Sequence, residues 1–108
     1  MKKKLIKINY YILALIILFS QTAKAEDLFN KGKQIFLGDG NCVMCHALQD
    51  ANSHGNIGPN LNEIKPDIMT VISAVTNGIG VMPAYESQLN ANEIKAVSYY
   101  VSISSEKD

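Results

Sequence analysis

Cys42-Val43-Met44-Cys45-His46 places two thiols and an imidazole within five consecutive residues. In a helical turn, side chains three and four positions apart lie on one face, so Cys42, Cys45 and His46 can reach the same object. C-x-x-C-H is the attachment motif of c-type haem. Each sulfur can form a thioether to one vinyl group of the porphyrin, while the imidazole ligates the iron. The motif therefore predicts one covalently bound haem c, tethered by Cys42 and Cys45, with His46 as the proximal ligand.

Three other interpretations fit the motif less well. A redox-active dithiol of the thioredoxin type is expected within a β-α-β pattern, which the sequence does not show. A structural zinc site needs about four protein ligands, and the only further cysteine or histidine in the chain is His54. A simple disulfide would leave His46 without a role. The dithiol is the next best of these interpretations.

The first 25 residues have the pattern of a secretory signal peptide. A basic start is formed by four lysines: Lys2, Lys3, Lys4 and Lys7. A mostly apolar stretch of twelve residues follows, from Ile8 to Phe19 and interrupted by Asn9, and Ala23-Lys24-Ala25 supplies a small-x-small cleavage site. The predicted organisation is a cleaved leader over residues 1–25 and a single domain over residues 26–108, exported to the periplasm. The alternative is an uncleaved membrane anchor, although a spanning helix needs about twenty apolar residues.

Removal of the leader changes the charge of the chain. The full sequence is neutral, with ten lysines and ten acidic residues, but five of the lysines lie in residues 1–25. Residues 26–108 therefore carry a formal charge of −5. No basic patch is available to neutralise phosphates, which excludes a nucleic-acid partner. The expected partners are redox proteins with basic docking surfaces, because complementary fields accelerate encounter.

The apolar spacing predicts helices and no strands. Three helices are expected: residues 26–37, residues 66–76, and a last helix that begins at Asn90 with a capping box to Glu93. Residues 48–60 lack periodicity and predict a loop, and residues 104–108 predict a polar tail that frays.

One glycine inside the first predicted helix needs a packing explanation. Gly32 costs about 1 kcal/mol relative to alanine in a helix interior. The sequence therefore indicates that another helix approaches closely at this position.

A second iron ligand is expected in the loop after the second helix. There Met82 follows two glycines and directly precedes Pro83. A thioether is a soft, neutral ligand that suits haem iron, and the proline restricts Met82 to extended conformations. Methionine more often fills an irregular gap, but its pairing with C-x-x-C-H favours Met82 as the distal ligand. Two weaker candidates for this ligand are His54 and Met69. His54 lies in a polar stretch. Met69 lies off the apolar stripe of its helix and is expected to pack.

With these features in place, residues 26–108 resemble a small class I c-type cytochrome along nearly their whole length. C-x-x-C-H carries most of the resemblance, and Asn77-Gly78 followed by Met82-Pro83-Ala84 strengthens it. The resemblance implies an all-α, cytochrome c-like fold of three to four helices around one covalently attached haem. In such a fold the N- and C-terminal helices cross.

The resemblance also implies roles for individual residues. The helix crossing would be made by Gly32, Phe36, Val97 and Tyr100. The carbonyl of Pro59 would accept a hydrogen bond from the imidazole of His46 and fix its orientation. The chain departs from many relatives in having no arginine and no tryptophan to hold a haem propionate. The remaining candidates for that role are backbone N–H groups and three side chains: Tyr85, Asn62 and Lys65.

These features predict an electron carrier rather than an enzyme. Ligation by His46 and Met82 closes both axial positions to substrates. It also raises the reduction potential of the haem relative to bis-imidazole or thiolate ligation. Electrons would pass through the haem edge, inside a small apolar docking ring of four residues: Val43, Met44, Val81 and Ala84. The expected protein is an exported, monomeric, mono-haem carrier that cycles between Fe(II) and Fe(III). The alternatives are a dedicated subunit of a periplasmic dehydrogenase or oxidase complex, and a haem-based gas sensor or peroxidase-like protein.

Overall fold

The computed structural model describes residues 2–107, with side chains from residue 9 onward. This part of the chain forms four α-helices and one short antiparallel strand pair. The helices are α1 (Lys2–Leu37), α2 (Leu61–Ile64), α3 (Ile68–Asn77) and α4 (Ala91–Ser105), and the strands are β1 (Ala47–Leu48) and β2 (Ser53–His54). The predicted all-α class is confirmed, and the helix over residues 61–64 is an addition to the three that the sequence predicted.

Helix α1 is much longer than the predicted first helix. It begins inside the expected leader and continues without a break to Leu37. Residues 9–24 are exposed, whereas Leu28 and Phe29 pack against the core. The helix ends at Leu37, as predicted, with the Gly38 N–H donating to the carbonyl of Gln34 at 2.8 Å. The side chains of the basic start lie outside the described residues. Within the described range, no helix combines the length and the apolarity that crossing a membrane requires.

Helices α1 and α4 cross at Gly32, as predicted. A Cβ atom at this position would lie 2.6 Å from the Cβ of Tyr100 and would overlap the carbonyl of Ala96. Beside this contact the rings of Phe36 and Tyr100 meet edge to face, with centroids 5.6 Å apart. Phe29 adds a second ring contact with Tyr100 at 5.0 Å. Both Phe36 and Tyr100 are fully buried, so the crossing lies in the centre of the core.

The start of α4 agrees with the prediction, whereas the start of α3 differs from it. Asn90 and Glu93 form the predicted capping box, with hydrogen bonds of 2.9 and 3.0 Å. Helix α3 begins two residues later than predicted, because Asp67 caps it by accepting a hydrogen bond from the N–H of Thr70 at 2.8 Å. Pro66 therefore precedes the helix rather than filling its first turn.

The predicted frayed tail is wrong for its first residues. Ser104 and Ser105 belong to α4 and are fully buried. The Ser104 hydroxyl donates to the carbonyl of Tyr100 at 2.6 Å, which satisfies its polar group inside the helix. The amide of Asn62 donates to the carbonyl of Ser105 at 3.3 Å and fastens the end of α4. Asp108 lies outside the described residues.

The predicted loop over residues 48–60 contains regular structure that the sequence did not reveal. Ala47 pairs with His54 and Leu48 with Ser53, around a single 3₁₀ turn at Gln49–Ala51. Strands of two residues are too short to show an alternating pattern, so the expectation of no strands was wrong here. Leu48 is fully buried and anchors this hairpin in the core.

A polar network fastens the tip of the hairpin to the helix crossing. The Lys33 ammonium lies 3.1 Å from the carboxylate of Asp50 and donates to its carbonyl at 3.0 Å. The Tyr100 hydroxyl donates to the same carboxylate at 2.7 Å. Burial alone would raise the pKa of Asp50, but the Tyr100 hydrogen bond and the charges of Lys33 and Lys107 outweigh it and lower the pKa. Burial and the neighbouring Asp50 raise the pKa of Tyr100, so its hydroxyl remains a donor.

We expect the stability of the fold to decline in acid partly through Asp50. The folded-state pKa of Asp50 is below its usual value of 3.8, so the unfolded state binds the proton first as pH falls. The ionised Asp50 carboxylate stabilises the folded state fully above its usual pKa of 3.8, and this stabilisation is lost as pH falls through the lower, folded-state pKa. Denaturant unfolding at a series of pH values measures the decline. It should be shallower in Asp50→Asn, and equal slopes in the two proteins would contradict the expectation.

Replacement of Gly32 by alanine should destabilise the protein by about 2 kcal/mol, because overpacking outweighs the better helix propensity of alanine. The added methyl group meets backbone of α4, which cannot move aside as a flexible side chain would. Urea denaturation of the haem-loaded protein measures the change. Asn30→Ala, at an exposed position of α1, is the matched control and should differ little from the wild type. Equal stability of the two variants would refute the close approach at Gly32.

Candidate haem site

The C-x-x-C-H motif lies on one turn of 3₁₀ helix, Cys42–Met44, rather than on a full α-helix. Asn41 opens the turn in the left-handed conformation, with φ of 50°. The N–H groups of Cys45 and His46 both donate to the carbonyl of Cys42, at 3.1 and 2.9 Å. The three predicted attachment residues therefore lie within a single tight turn. Both thiols are free and half-buried.

The thiol chemistry argues against a redox-active dithiol. Burial raises the pKa of the Cys42 thiol to about 11, and the nearby charge of Cys45 acts in the same direction. Redox-active dithiols depend on a lowered pKa that supplies a thiolate at neutral pH. Cys42 is thus suited to a covalent tether rather than to thiol exchange.

The imidazole of His46 is held from two directions. Its Nδ1 atom lies 2.8 Å from the carbonyl oxygen of Pro59. Because a carbonyl can only accept, Nδ1 carries the proton and the Nε2 lone pair is available to a metal. Gly58 lies against the ring, where a Cβ atom would come within 2.6 Å of Cε1 and 3.0 Å of Nε2. The role of Pro59 was predicted from the resemblance, whereas that of Gly58 was not, although a glycine directly before this proline was the available signal.

The hairpin brings Gly58 and Pro59 back to the motif. Its strand pairing returns the chain so that Gly55 lies against the backbone between Cys45 and His46, where a Cβ atom would lie 2.7 Å from the His46 nitrogen. The Gly58 N–H then donates to the Cys45 carbonyl at 2.7 Å. Two glycines therefore allow backbone to pack directly on the motif.

Met82 lies on a tight turn in a different loop. Ile79 and Met82 exchange two backbone hydrogen bonds, of 3.1 and 3.0 Å. Gly80 has a φ of 57° inside the turn, and Gly78 has a φ of 73° before it. The Met82 side chain is half-buried and packs against the core, whereas neighbouring Val81 is 86% exposed.

Tyr85 connects this loop to the attachment motif. Its N–H donates to the carbonyl of Val75 at 2.8 Å, which ties the loop to α3. Its hydroxyl donates to the carbonyl of Gly40 at 2.8 Å, two residues before Cys42. Burial raises the pKa of Tyr85, so the hydroxyl keeps the proton that it donates. This propionate candidate is therefore engaged with backbone.

The other two propionate candidates contact the end of α4. Asn62 donates to the carbonyls of Ser105 and Lys107, at 3.3 and 2.9 Å, and accepts from the N–H of Gln49 at 2.7 Å. Lys65 donates to the Ser105 carbonyl at 3.0 Å. Both side chains thus stabilise the C-terminal turn of α4.

The weaker ligand candidates lie at the surface. His54 is exposed at the end of the hairpin. Met69 is 68% exposed on α3, so the expectation that it packs in the interior was wrong.

The residues at this site fit a covalently bound haem. They offer two free thiols, an imidazole with a fixed tautomer, and a half-buried thioether. Apolar side chains on the segments around them are more than half exposed: Met44, Ile57, Ile64, Ile79 and Val81. Apolar groups in such number call for an apolar partner to cover them, which a porphyrin provides.

Comparison with known proteins agrees with this fit. Residues 26–101 match the family described as cytochrome c oxidase, cbb3-type, subunit III. The chain belongs to this family of c-type cytochromes. The cytochrome is 50% identical to the c-type cytochrome SorU from Sinorhizobium meliloti, with a TM-score of 0.71 over 74% of this chain and 93% of SorU.

Two further relatives differ in length. Cytochrome c6 of Leptolyngbya boryana is 31% identical over 80 residues, which cover 70% of this chain and 92% of that protein. The cbb3-type oxidase subunit FixP of Bradyrhizobium sp. (strain ORS 278) is 42% identical over 67 residues, which cover 56% of this chain and 23% of that protein. The cytochrome therefore spans about a quarter of the FixP chains that it matches and nearly all of cytochrome c6.

The predicted class I cytochrome, its fold and its cofactor are thereby confirmed. The cytochrome binds one haem c covalently and carries electrons.

Gly58→Ala should weaken ligation by His46, because the added methyl group overlaps the imidazole and pushes it off the Pro59 carbonyl. Loss of such a supporting contact typically weakens a metal ligand about tenfold or more. In an acid titration followed by the visible haem spectrum, the midpoint for loss of histidine ligation should rise by about one pH unit. Asn56→Ala, an exposed change in the same loop, serves as the control. An unchanged midpoint in Gly58→Ala would show that the glycine does not support the ligand.

Proposed function

We propose that the cytochrome is an exported carrier that moves single electrons between two periplasmic redox proteins, with His46 as the proximal and Met82 as the distal iron ligand. The observation that carries the proposal is the fixed imidazole, whose Nδ1 proton is held by the Pro59 carbonyl at 2.8 Å. The bound haem supplies a one-electron Fe(II)/Fe(III) couple. The chain's own residues hold both axial ligands in place and keep substrates away from the iron.

The setting of Met82 supports its role as the distal ligand. Its turn is fixed by two backbone hydrogen bonds to Ile79 and needs the positive φ of Gly80. Pro83 restricts the backbone of Met82 further. A half-buried thioether on a preorganised turn loses little conformational freedom when it binds iron, which favours a stable bond.

The exposed apolar residues near the motif support a small docking surface. Of the four residues of the predicted docking ring, Met44 is 63% and Val81 86% exposed, Ala84 is exposed and Val43 is half-buried. Ile57, which is 65% exposed and precedes the Gly58 that packs on His46, extends this ring. A small apolar patch suits a transient redox encounter, in which the partners must separate after each electron.

The charge balance supports partners with basic docking surfaces. Residues 26–108 hold five lysines against ten acidic residues. Three of these lysines have partners within the chain: Lys33 with Asp50, Lys65 with a carbonyl of α4, and Lys107 over the ring of Phe29 at 4.8 Å. The surface offered to a partner is therefore mainly acidic, and steering should weaken as salt rises.

Export rests on the leader pattern of residues 1–25. The family match begins at residue 26, directly after the proposed cleavage site, and core packing of α1 begins at Leu28. Cleavage after Ala25 would place Glu26 and Asp27 in the first turn of the shortened helix, where acidic side chains interact favourably with the helix dipole. We propose a monomeric periplasmic protein, and the intact mass of the purified protein would reveal whether the leader is removed.

A dedicated subunit of an oxidase or dehydrogenase complex is the second candidate. It is favoured by the match to FixP, a subunit of a cbb3-type oxidase. Gel filtration of a native extract separates the two functions. Elution of the haem signal as a small monomer supports the free carrier, whereas elution in a large assembly supports the subunit.

Met82→Ala should abolish the far-red iron–sulfur band of the oxidised protein and lower the reduction potential by an amount on the order of 0.2 V, because a soft neutral ligand is lost. Spectroelectrochemical titration of the haem-loaded protein measures both. Met69→Ala, which removes an exposed thioether from α3, is the matched control and should leave both unchanged. If Met82→Ala retained the band, the assignment of the distal ligand would be wrong. Rapid carbon monoxide binding by the reduced wild type would favour the gas-sensor alternative instead.

A further inference from the structure

The Met82 loop is closed at one end by an aromatic side chain. Tyr85 follows Met82 by three residues, and its half-buried ring packs against the core. Its hydroxyl reaches across to the segment before the haem-attachment motif and donates to the Gly40 carbonyl at 2.8 Å. One neutral hydrogen bond thus joins the loop of the proposed distal ligand to the segment that precedes Cys42.

The acceptor belongs to a well-fixed segment. Gly40 is buried, and its N–H donates to the Ile35 carbonyl at 2.9 Å, at the end of α1. A Cβ atom at Gly40 would lie 3.1 Å from the Cys42 sulfur, so this backbone lies directly beside the first tether. The Tyr85 hydroxyl is therefore bonded to a buried, hydrogen-bonded segment beside Cys42.

The backbone of the same loop is tied to the other side. The Gly78 N–H donates to the Ala74 carbonyl at 2.8 Å, and the Tyr85 N–H donates to the Val75 carbonyl at 2.8 Å. These two bonds fasten the loop to α3, and the Ile79 and Met82 pair lies within the loop itself. The Tyr85 hydroxyl adds a link from the same loop to the segment before the motif.

We propose that Tyr85 is a positioning residue that keeps the Met82 loop closed over the haem, so that its hydroxyl sets how readily the distal position opens to small ligands. The inference rests on the proposed role of Met82 as the distal ligand. In this role Tyr85 does not itself ligate the iron. It acts by making the closed loop the more populated state, and a ligand that binds only the open state gains when the closed state is weakened.

Tyr85→Phe tests the proposal, since it removes the hydroxyl and keeps the ring. We expect carbon monoxide to bind the reduced, haem-loaded variant about fivefold faster or tighter than the wild type, the change that corresponds to loss of one neutral hydrogen bond. In the oxidised variant, the far-red iron–sulfur band should be lost at lower pH in an alkaline titration. Tyr99→Phe removes a hydroxyl from half-buried Tyr99 on α4 and is the matched control.

A double variant separates action through Met82 from a general loss of stability. In Met82→Ala the proposed ligand is already absent, so adding Tyr85→Phe should leave carbon monoxide binding unchanged. Such non-additivity is the sign of coupling between the two residues. If Tyr85→Phe accelerated binding equally in both backgrounds, the hydroxyl would act on something other than the Met82 loop and the proposal would fail.

Two further results would overturn the inference. In the first, Tyr85→Phe would have the same carbon monoxide binding and the same alkaline midpoint as Tyr99→Phe. This would show that the hydrogen bond does not hold the loop, even if the stability of Tyr85→Phe against unfolding fell. An absent iron–sulfur band in the wild type would refute Met82 as ligand, and Tyr85 as its positioning residue with it. That outcome is distinguished from the first because it is seen before any substitution is made.

Discussion

The close approach of α1 and α4 at Gly32 is the contact on which the rest of the structure depends. With no side chain at Gly32, the backbone of α1 lies against Ala96 and Tyr100, and the rings of Phe29 and Phe36 then enclose Tyr100. A domain this small buries limited apolar surface, so a single tight helix crossing supplies much of its core. Since α1 ends at Leu37, five residues before Cys42, the same contact also helps to place the C-x-x-C-H motif.

The site itself is built from turns rather than from helices. His46 follows a 3₁₀ turn, Pro59 follows a hairpin, and Met82 lies on a turn between α3 and α4. Each turn is fixed by backbone hydrogen bonds and by glycines that let backbone approach closely, at Gly58 against the imidazole and at Gly78 against the Met82 turn. In the proposed ligation, turns fixed in this way hold the side chains of His46 and Met82 in a preorganised geometry.

Polar side chains serve mainly to join these turns to the helices. Asp50 ties the hairpin to Lys33 and Tyr100, and Asn62 ties the start of α2 to the last turn of α4. Tyr85 makes the corresponding link between the Met82 loop and the attachment side. Apolar residues on the segments around the motif remain exposed and can cover the cofactor.

The sequence by itself determined the C-x-x-C-H motif, the capping box of α4 and the need for a close contact at Gly32, because each follows from local chemistry or from the spacing of neighbouring residues. It could not reveal the two-residue strands, the burial of Ser104 and Ser105, or the exposure of Met69, since these depend on which distant segment packs against them. The tertiary structure alone decided that the Tyr85 hydroxyl is bonded to the Gly40 carbonyl, because residues 45 positions apart meet only after the chain has folded.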